Sequence, residues 1–229
     1  MELTNFFYLA LIIVLIAVSL VKSFDKSMQL GKKFKYLLPA IVITSAFFLI
    51  WDINFTNAHI WTFNSAYTLG KEIKGLPIEE WLFVPAILYC IVFVYELVKV
   101  KITRYEYTKP LLALSLVVIV GFALISYFFR QQIYTFTAFL FSAVYLGYAV
   151  FRNLLKQNIT SFYISYVVLL IPFLILYGVL TSLPLVEYHP AGILNIRVLN
   201  IPVENFAFFF LMLLMSTTIY EFLKVRKFY

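Results

Sequence analysis

Seven apolar runs, each close to the length that crosses a bilayer, leave this 229-residue chain almost no material for anything else. They are Phe6–Val21, Tyr36–Trp51, Ile78–Val98, Pro110–Phe129, Ile133–Phe151, Thr160–Ser182 and Pro202–Phe222. A spanning helix needs about 20 predominantly apolar residues, because lipid cannot hydrogen-bond the backbone and the helix must satisfy it internally. At 63% hydrophobic and 20% aromatic residues, an ordinary soluble domain is excluded. The expected fold class is an all-α integral membrane protein with seven transmembrane helices.

The net charge of +7 does not point to nucleic acid, because the basic residues lie between the apolar runs or at their ends. Fourteen of the eighteen Lys and Arg fall in the odd-numbered connections and the C-terminus. Only Lys71, Lys74, Arg130 and Arg197 lie on the opposite side. The positive-inside rule then expects a multi-pass cell-membrane protein with its N-terminus outside and its C-terminus in the cytoplasm. The first run has no basic segment before it and no small-residue cleavage site after it, so it reads as a retained first helix. The single cysteine, Cys90, falls mid-span and reads as packing, with no disulfide framework or thiolate metal cluster.

A near-repeat organises the chain. Residues 76–100 align without a gap on 201–225, at an offset of 125. Pro77, Glu79, Phe83, Leu88, Tyr95, Glu96, Lys99 and Val100 match Pro202, Glu204, Phe208, Leu213, Tyr220, Glu221, Lys224 and Val225. The same offset pairs Phe63-Asn64 with Tyr188-His189 in the preceding loops. The expected architecture is 3+1+3: a first unit over 1–100, a connecting helix over 101–131 and a second unit over 132–229. Three helices plus a connector give both units the same orientation, and parallel repeats of this kind hold a shared site at their interface.

Carboxylates at the start of apolar helices need a reason. Proline suits the first helical position, and the helix dipole favours an acid in the first turn. Pro77-Ile78-Glu79 alone reads as a headgroup-level start signal; its recurrence at Pro202-Val203-Glu204 makes Glu79 and Glu204 a matched pair that the repeat axis could bring face to face. Glu80 lies about 100° around the helix from Glu79, and Asn205 stands at its place in the second copy. Asp52, directly after Trp51 at the end of the second run, is an acid beside hydrocarbon and so a functional candidate. Glu96 and Glu221, each with a lysine three residues on (Lys99, Lys224), read as helical ion pairs at the cytoplasmic boundary, about 25 Å from the Pro-x-Glu end. Arg197, the only base of the last outer loop, is placed to neutralise Glu187 or Glu204. The dense aromatics of the fifth and seventh runs read as packing, although π-faces turned to a cavity would stabilise a carbocation.

Absences narrow the chemistry. The chain has no G-x-G-x-x-G, no P-loop, no aspartate-rich diphosphate motif and no lysine inside the seventh run for a retinal Schiff base. His59 and His189 are too few for a membrane di-iron centre.

Trp51-Asp52, Trp61-x-Phe63-Asn64 and Leu76-Pro77-Ile78-Glu79-Glu80 with Phe83, followed by a second Pro-x-Glu unit, resemble the membrane-type lycopene cyclases of carotenoid-making bacteria, archaea and fungi. The chain looks like the fused, two-unit form. It departs from that pattern in the second unit, where Asn205 follows Glu204 and His189 follows Tyr188. The resemblance implies lycopene entering from the bilayer, cyclised to γ-carotene and β-carotene with no cofactor and no nucleic acid. It also implies association with other carotenoid enzymes or a second copy. Glu79 or Glu80 is then the expected proton donor, with Asp52 and Glu204 as the next acids or bases. Trp51, Trp61, Phe63, Asn64, Tyr188 and Arg197 are the expected substrate contacts. The alternatives are an enzyme that hydrates a carotenoid end or forms an ε- or γ-ring, and a carrier or proton pathway built on paired membrane carboxylates.

Overall fold

The computed structural model describes residues 3–23, 30–102 and 108–225; Lys26, Arg104, Arg226 and Lys227 of the charge pattern lie outside them. Seven α-helices carry the fold: α1 (Phe7–Ser23), α2 (Leu30–Asn57), α3 (Ile78–Ile102), α4 (Thr108–Phe128), α5 (Ile133–Phe151), α6 (Ile159–Ser182) and α7 (Val203–Val225). Six of them, α2 to α7, are long and apolar enough to cross a membrane. The expected first span is present as a helix of 17 residues, shorter than the rest.

Helix α2 runs six residues beyond its apolar stretch. Nothing from Asp52 to Asn57 breaks a helix, and the Asn54 amide donates back to the Ile50 carbonyl at 2.7 Å. Asp52 therefore lies inside the helix rather than at its end, and the loop between α2 and α3 begins later than the sequence suggested.

The two central helices are α3 and α7, with 67% and 72% of their apolar windows buried, against 11% for the peripheral α4. Helix α1 packs on α3 as α5 packs on α7, while α2 and α6 each touch both central helices. Helix α4 lies against α5 and α6. Such an all-round apolar helix with little buried surface is suited to lipid.

Between α2 and α3 lie β1 (Trp61–Phe63), a 3-10 turn (Ser65–Tyr67), β2 (Glu72–Ile73) and β3 (Leu76–Pro77). Between α6 and α7 lie β4 (Val186–Tyr188), a 3-10 turn (Pro190–Gly192), β5 (Arg197–Val198) and β6 (Ile201–Pro202). Each of these elements recurs at the offset of 125. Strands β1 and β4 pair antiparallel as Trp61↔Tyr188, Thr62↔Glu187 and Phe63↔Val186. Thr62 and Glu187 are themselves counterparts, so this pairing is its own image and a local two-fold axis passes between the loops. The flanking bonds obey it: Asn64 N–H to the Leu185 carbonyl at 2.9 Å, and His189 N–H to the Ile60 carbonyl at 2.8 Å.

Each loop ends in a two-residue hairpin with both turn residues left-handed, Lys74 and Gly75 in the first, Leu199 and Asn200 in the second. That is the turn whose twist matches paired strands. At Gly75 a second constraint acts, since an added Cβ would stand 2.5 Å from Asn57 Oδ1.

At the opposite end of the bundle the ion pairs differ from the expected i,i+3 pairs. The lysines reach across instead: Lys99 Nζ is 2.5 Å from Glu221, Lys224 Nζ is 3.1 Å from Glu96, and Lys33 adds a contact to Glu96 at 2.5 Å. The close packing of α3 and α7 puts each lysine nearer the partner helix's carboxylate than sequence spacing alone implied. Cys90 is buried, its thiol donating to the Leu15 carbonyl at 3.4 Å.

Candidate functional site

Both Pro-x-Glu segments do the same local work. The first amide of α3, on Ile78, bonds the Lys71 carbonyl at 2.9 Å, and that of α7, on Val203, bonds Ile196 at 3.0 Å. One residue on, Glu79 Oε1 accepts the Leu69 N–H at 2.5 Å and Glu204 Oε1 accepts the Leu194 N–H at 2.6 Å. Both glutamates are fully buried, and Glu204 also accepts the Thr135 hydroxyl at 2.5 Å. Each clips the preceding loop across the start of its helix, where the helix dipole favours negative charge.

The next residue turns to a different face. Glu80 accepts a hydrogen bond from the buried Tyr8 hydroxyl, whose ring packs against Phe83 at 5.5 Å. At the matching place in α7, Asn205 accepts from Tyr134 at 2.8 Å and donates to the Tyr188 oxygen at 2.7 Å. The tyrosines repeat the arrangement; the carboxylate does not.

Glu80 opens onto a cavity with about 500 Å³ of space between atoms, its mouth included. Among the described residues, Asp52 and Glu80, 5% and 7% exposed, are its two carboxyl groups, and its wall contains no Lys, Arg or His. Trp61, Phe63, Phe83, Tyr134, Tyr177 and Phe208 also line it, with Tyr8, Tyr188, Met212 and aliphatic side chains. The cavity straddles the two-fold axis. Phe83 and Phe208 are counterparts at the offset of 125, as are Asp52 and Tyr177, and all four line it. Both acids thus come from the first half of the chain, and neutral groups hold their places in the second.

Tyr188 lies outside the helices. Burial pushes its hydroxyl well above the ordinary tyrosine range, partly offset by the hydrogen bond from Asn205, so it stays a neutral polar contact at physiological pH.

Of the expected site residues, Asp52, Glu80, Trp61, Phe63 and Tyr188 meet at this cavity. Glu79 and Glu204 lie beside it, bound to loop amides and outside its lining. Trp51 sits behind the wall. Its ring lies edge-on to Phe208 at 5.3 Å and to Phe141 at 5.2 Å, pairs worth about 0.5–1.5 kcal/mol each beyond area burial. The Asn64 side chain caps the first 3-10 turn by accepting the Ala66 N–H at 3.0 Å, the role His189 takes for Ala191 at 3.3 Å. Arg197 is exposed and donates to the Asn200 carbonyl at 3.0 Å within its hairpin, whereas the carboxylate of Glu204 is held by Leu194 and Thr135.

Two tyrosines of the wall carried no weight in the sequence. Tyr177 was within reach, because the offset of 125 applied to Asp52 lands on it; Tyr8, in a mainly aliphatic first helix, gave no signal. Among the described residues no three His, Cys, Asp or Glu side chains gather as a metal site.

The family model described as Lycopene cyclase matches residues 5–98 and 131–223, most of the chain and in two segments. No curated protein and no solved structure gives a significant match.

Proposed function

The chain belongs to the lycopene cyclase family, and from that membership we propose that it closes the ψ-ends of lycopene to β-ionone rings, giving γ-carotene and then β-carotene. The reaction is an isomerisation. Glu80, as the neutral acid, delivers a proton to C2 of the terminal alkene. The C1 cation so formed is captured by the C5=C6 double bond, making the C1–C6 bond and moving the charge to C5. Asp52 then removes the C6 proton, which restores a C5=C6 double bond. One proton enters and one leaves, so mass and oxidation state are unchanged. Two carboxyl groups at one site can divide the donor and acceptor roles in this way.

The observation that carries this reading is a pair of buried carboxyl groups in one aromatic cavity whose wall, among the described residues, holds no basic residue. A lysine or arginine there would oppose a carbocation, whereas the faces of Trp61, Phe83, Tyr134 and Phe208 are attracted to one. The Tyr8 hydroxyl fixes one oxygen of Glu80 and leaves the other free to present a proton. Trp61, Phe63 and Tyr188 are assigned to hold the polyene end. Trp51 supports that wall from behind, and Glu79, Glu204 and Asn64 act by holding the loops above the cavity. Arg197 has no contact with the proposed substrate.

In the same reading the chain is two parallel three-helix units, 1–100 and 132–229, joined through α4. The N-terminus is outside and the C-terminus cytoplasmic, with the cavity towards the outer face and the Lys33, Lys99 and Lys224 network towards the cytoplasm. Lycopene reaches the cavity from the bilayer.

Expression of this chain alone in a lycopene-accumulating bacterium, with pigments separated and weighed by mass spectrometry, tests the proposal. Monocyclic and bicyclic products of unchanged mass are expected. A product heavier by one water would replace ring closure with hydration, and unchanged lycopene beside membrane-inserted protein would overturn the reading.

A further inference from the structure

Lycopene has two identical ends, and the fold has two similarly built halves, so one centre per half would be the simplest way to close both. The side chains argue otherwise. At the offset of 125 the acid Asp52 becomes Tyr177 and the acid Glu80 becomes Asn205. Asn205 is not a spare proton donor, because both ends of its amide are engaged, one by Tyr134 and the other by Tyr188. The Pro-x-Glu carboxylate that does recur in the second half, Glu204, is bound to Leu194 and Thr135 and lies outside the cavity lining. The two halves also meet around one shared cavity. Phe83 and Phe208 face the same cavity, as do Asp52 and its counterpart Tyr177.

We propose that each chain holds one proton-handling centre, assembled from both halves but carrying acids from the first alone. Every binding event therefore closes one end, and the monocyclic carotene leaves and re-enters reversed before its second end reacts. This inference rests on the cyclase reading above. The second half contributes shape and aromatic surface: Tyr134, Tyr177 and Phe208 complete the wall opposite the acids. Each of the two closures balances as already written, with C2 gaining a proton, C6 losing one and the C1–C6 bond forming.

The test uses the full chain in phosphatidylcholine vesicles loaded with lycopene, γ-carotene or both. For the unmodified protein, γ-carotene should slow lycopene consumption competitively, with an inhibition constant equal to its own KM as substrate, because both compete for one centre. Lycopene consumption that is indifferent to γ-carotene at levels saturating its conversion to β-carotene would overturn the proposal. Glu80→Gln supplied with γ-carotene should lose β-carotene formation by about 100-fold or more, as it should with lycopene. A Glu80→Gln protein that closes γ-carotene at the normal rate but not lycopene would reveal a second centre. Because the competition experiment uses the unmodified chain, a folding defect in the variant cannot stand in for the expected result. If the unmodified protein converts neither carotene, the cyclase reading fails first and this inference falls with it.

Discussion

The first Pro-x-Glu segment reads Pro77-Ile78-Glu79-Glu80 and the second Pro202-Val203-Glu204-Asn205, and the two differ most where the cavity begins. Up to the first glutamate they are images of each other: a left-handed hairpin, a helix amide returned to the loop, and a buried carboxylate on a loop N–H at 2.5 and 2.6 Å. One residue later, one copy presents an acid and the other an amide locked between two tyrosines. The shared glutamates hold the fold, and the position that broke the repeat faces the cavity. In the proposed reading, the repeated glutamates serve the folding of both halves, and the chemistry belongs to the position where the copies part.

The sharpest way to break that contrast is Asp52→Asn. If the asymmetric acids do the chemistry, ring formation should fall by about two to four orders of magnitude, read as carotene turnover per folded protein in vesicles. A change below tenfold would remove Asp52 from the mechanism.

The far end of the bundle offers a second contrast. Glu96 is 1% exposed and holds two lysines, while Glu221 is 12% exposed and holds Lys99 and the Tyr95 hydroxyl. Glu96→Ala should cost about 3 kcal/mol in detergent unfolding, because it strands charge in a nearly buried network. Glu221→Ala should cost about 1 kcal/mol, as expected for a more exposed pair. Equal losses would show that the cross-helix network is as symmetric in energy as in sequence.

Glu79→Ala and Glu204→Ala should each destabilise by about 1.5–3 kcal/mol, the range for a lost hydrogen bond to a charged group. Glu204 should be the larger, since Thr135 is lost as well. Faster hydrogen exchange confined to the Leu69 or Leu194 amide would locate the damage in the corresponding loop.

Tyr8→Phe is the mildest change. It removes the hydroxyl on Glu80 but keeps the ring against Phe83, so turnover should fall by about tenfold with little effect on unfolding. The matching Tyr134→Phe, whose hydroxyl serves an amide, should reduce turnover by less.

Much of this fold is legible in the chain, because bilayer physics leaves few options for apolar runs of such length. The spans from α3 to α7 lie within a few residues of their apolar stretches, and the repeat offset read from Pro77 and Pro202 extends to strands and turns too short for periodicity to reveal. Other features depend on neighbours distant in sequence. Asp52 looks terminal only if hydrophobicity alone ends a helix, and Asp52 to Asn57 are helical although four of the six are polar. Lys99 and Lys224 look like partners for the glutamates on their own helices until α3 and α7 are packed together. The division between Glu79 and Glu80 follows from a 100° turn that the sequence does state. Which face meets a loop amide and which meets a cavity is decided by packing against α1 and α2. Tyr8 on α1, some seventy residues away, could not be foreseen as the partner of Glu80.

The most direct test sets neighbouring glutamates against each other: Glu80→Gln and Glu79→Gln, reconstituted at equal amounts with lycopene and followed by pigment chromatography. Both keep an oxygen acceptor, for the Tyr8 hydroxyl and for the Leu69 amide respectively, and both should insert and fold. The expected result is unchanged lycopene from Glu80→Gln and cyclic carotenes from Glu79→Gln. The reverse pattern, cyclisation surviving at Glu80→Gln and lost at Glu79→Gln, would contradict the assignment of chemistry to the position where the repeat breaks.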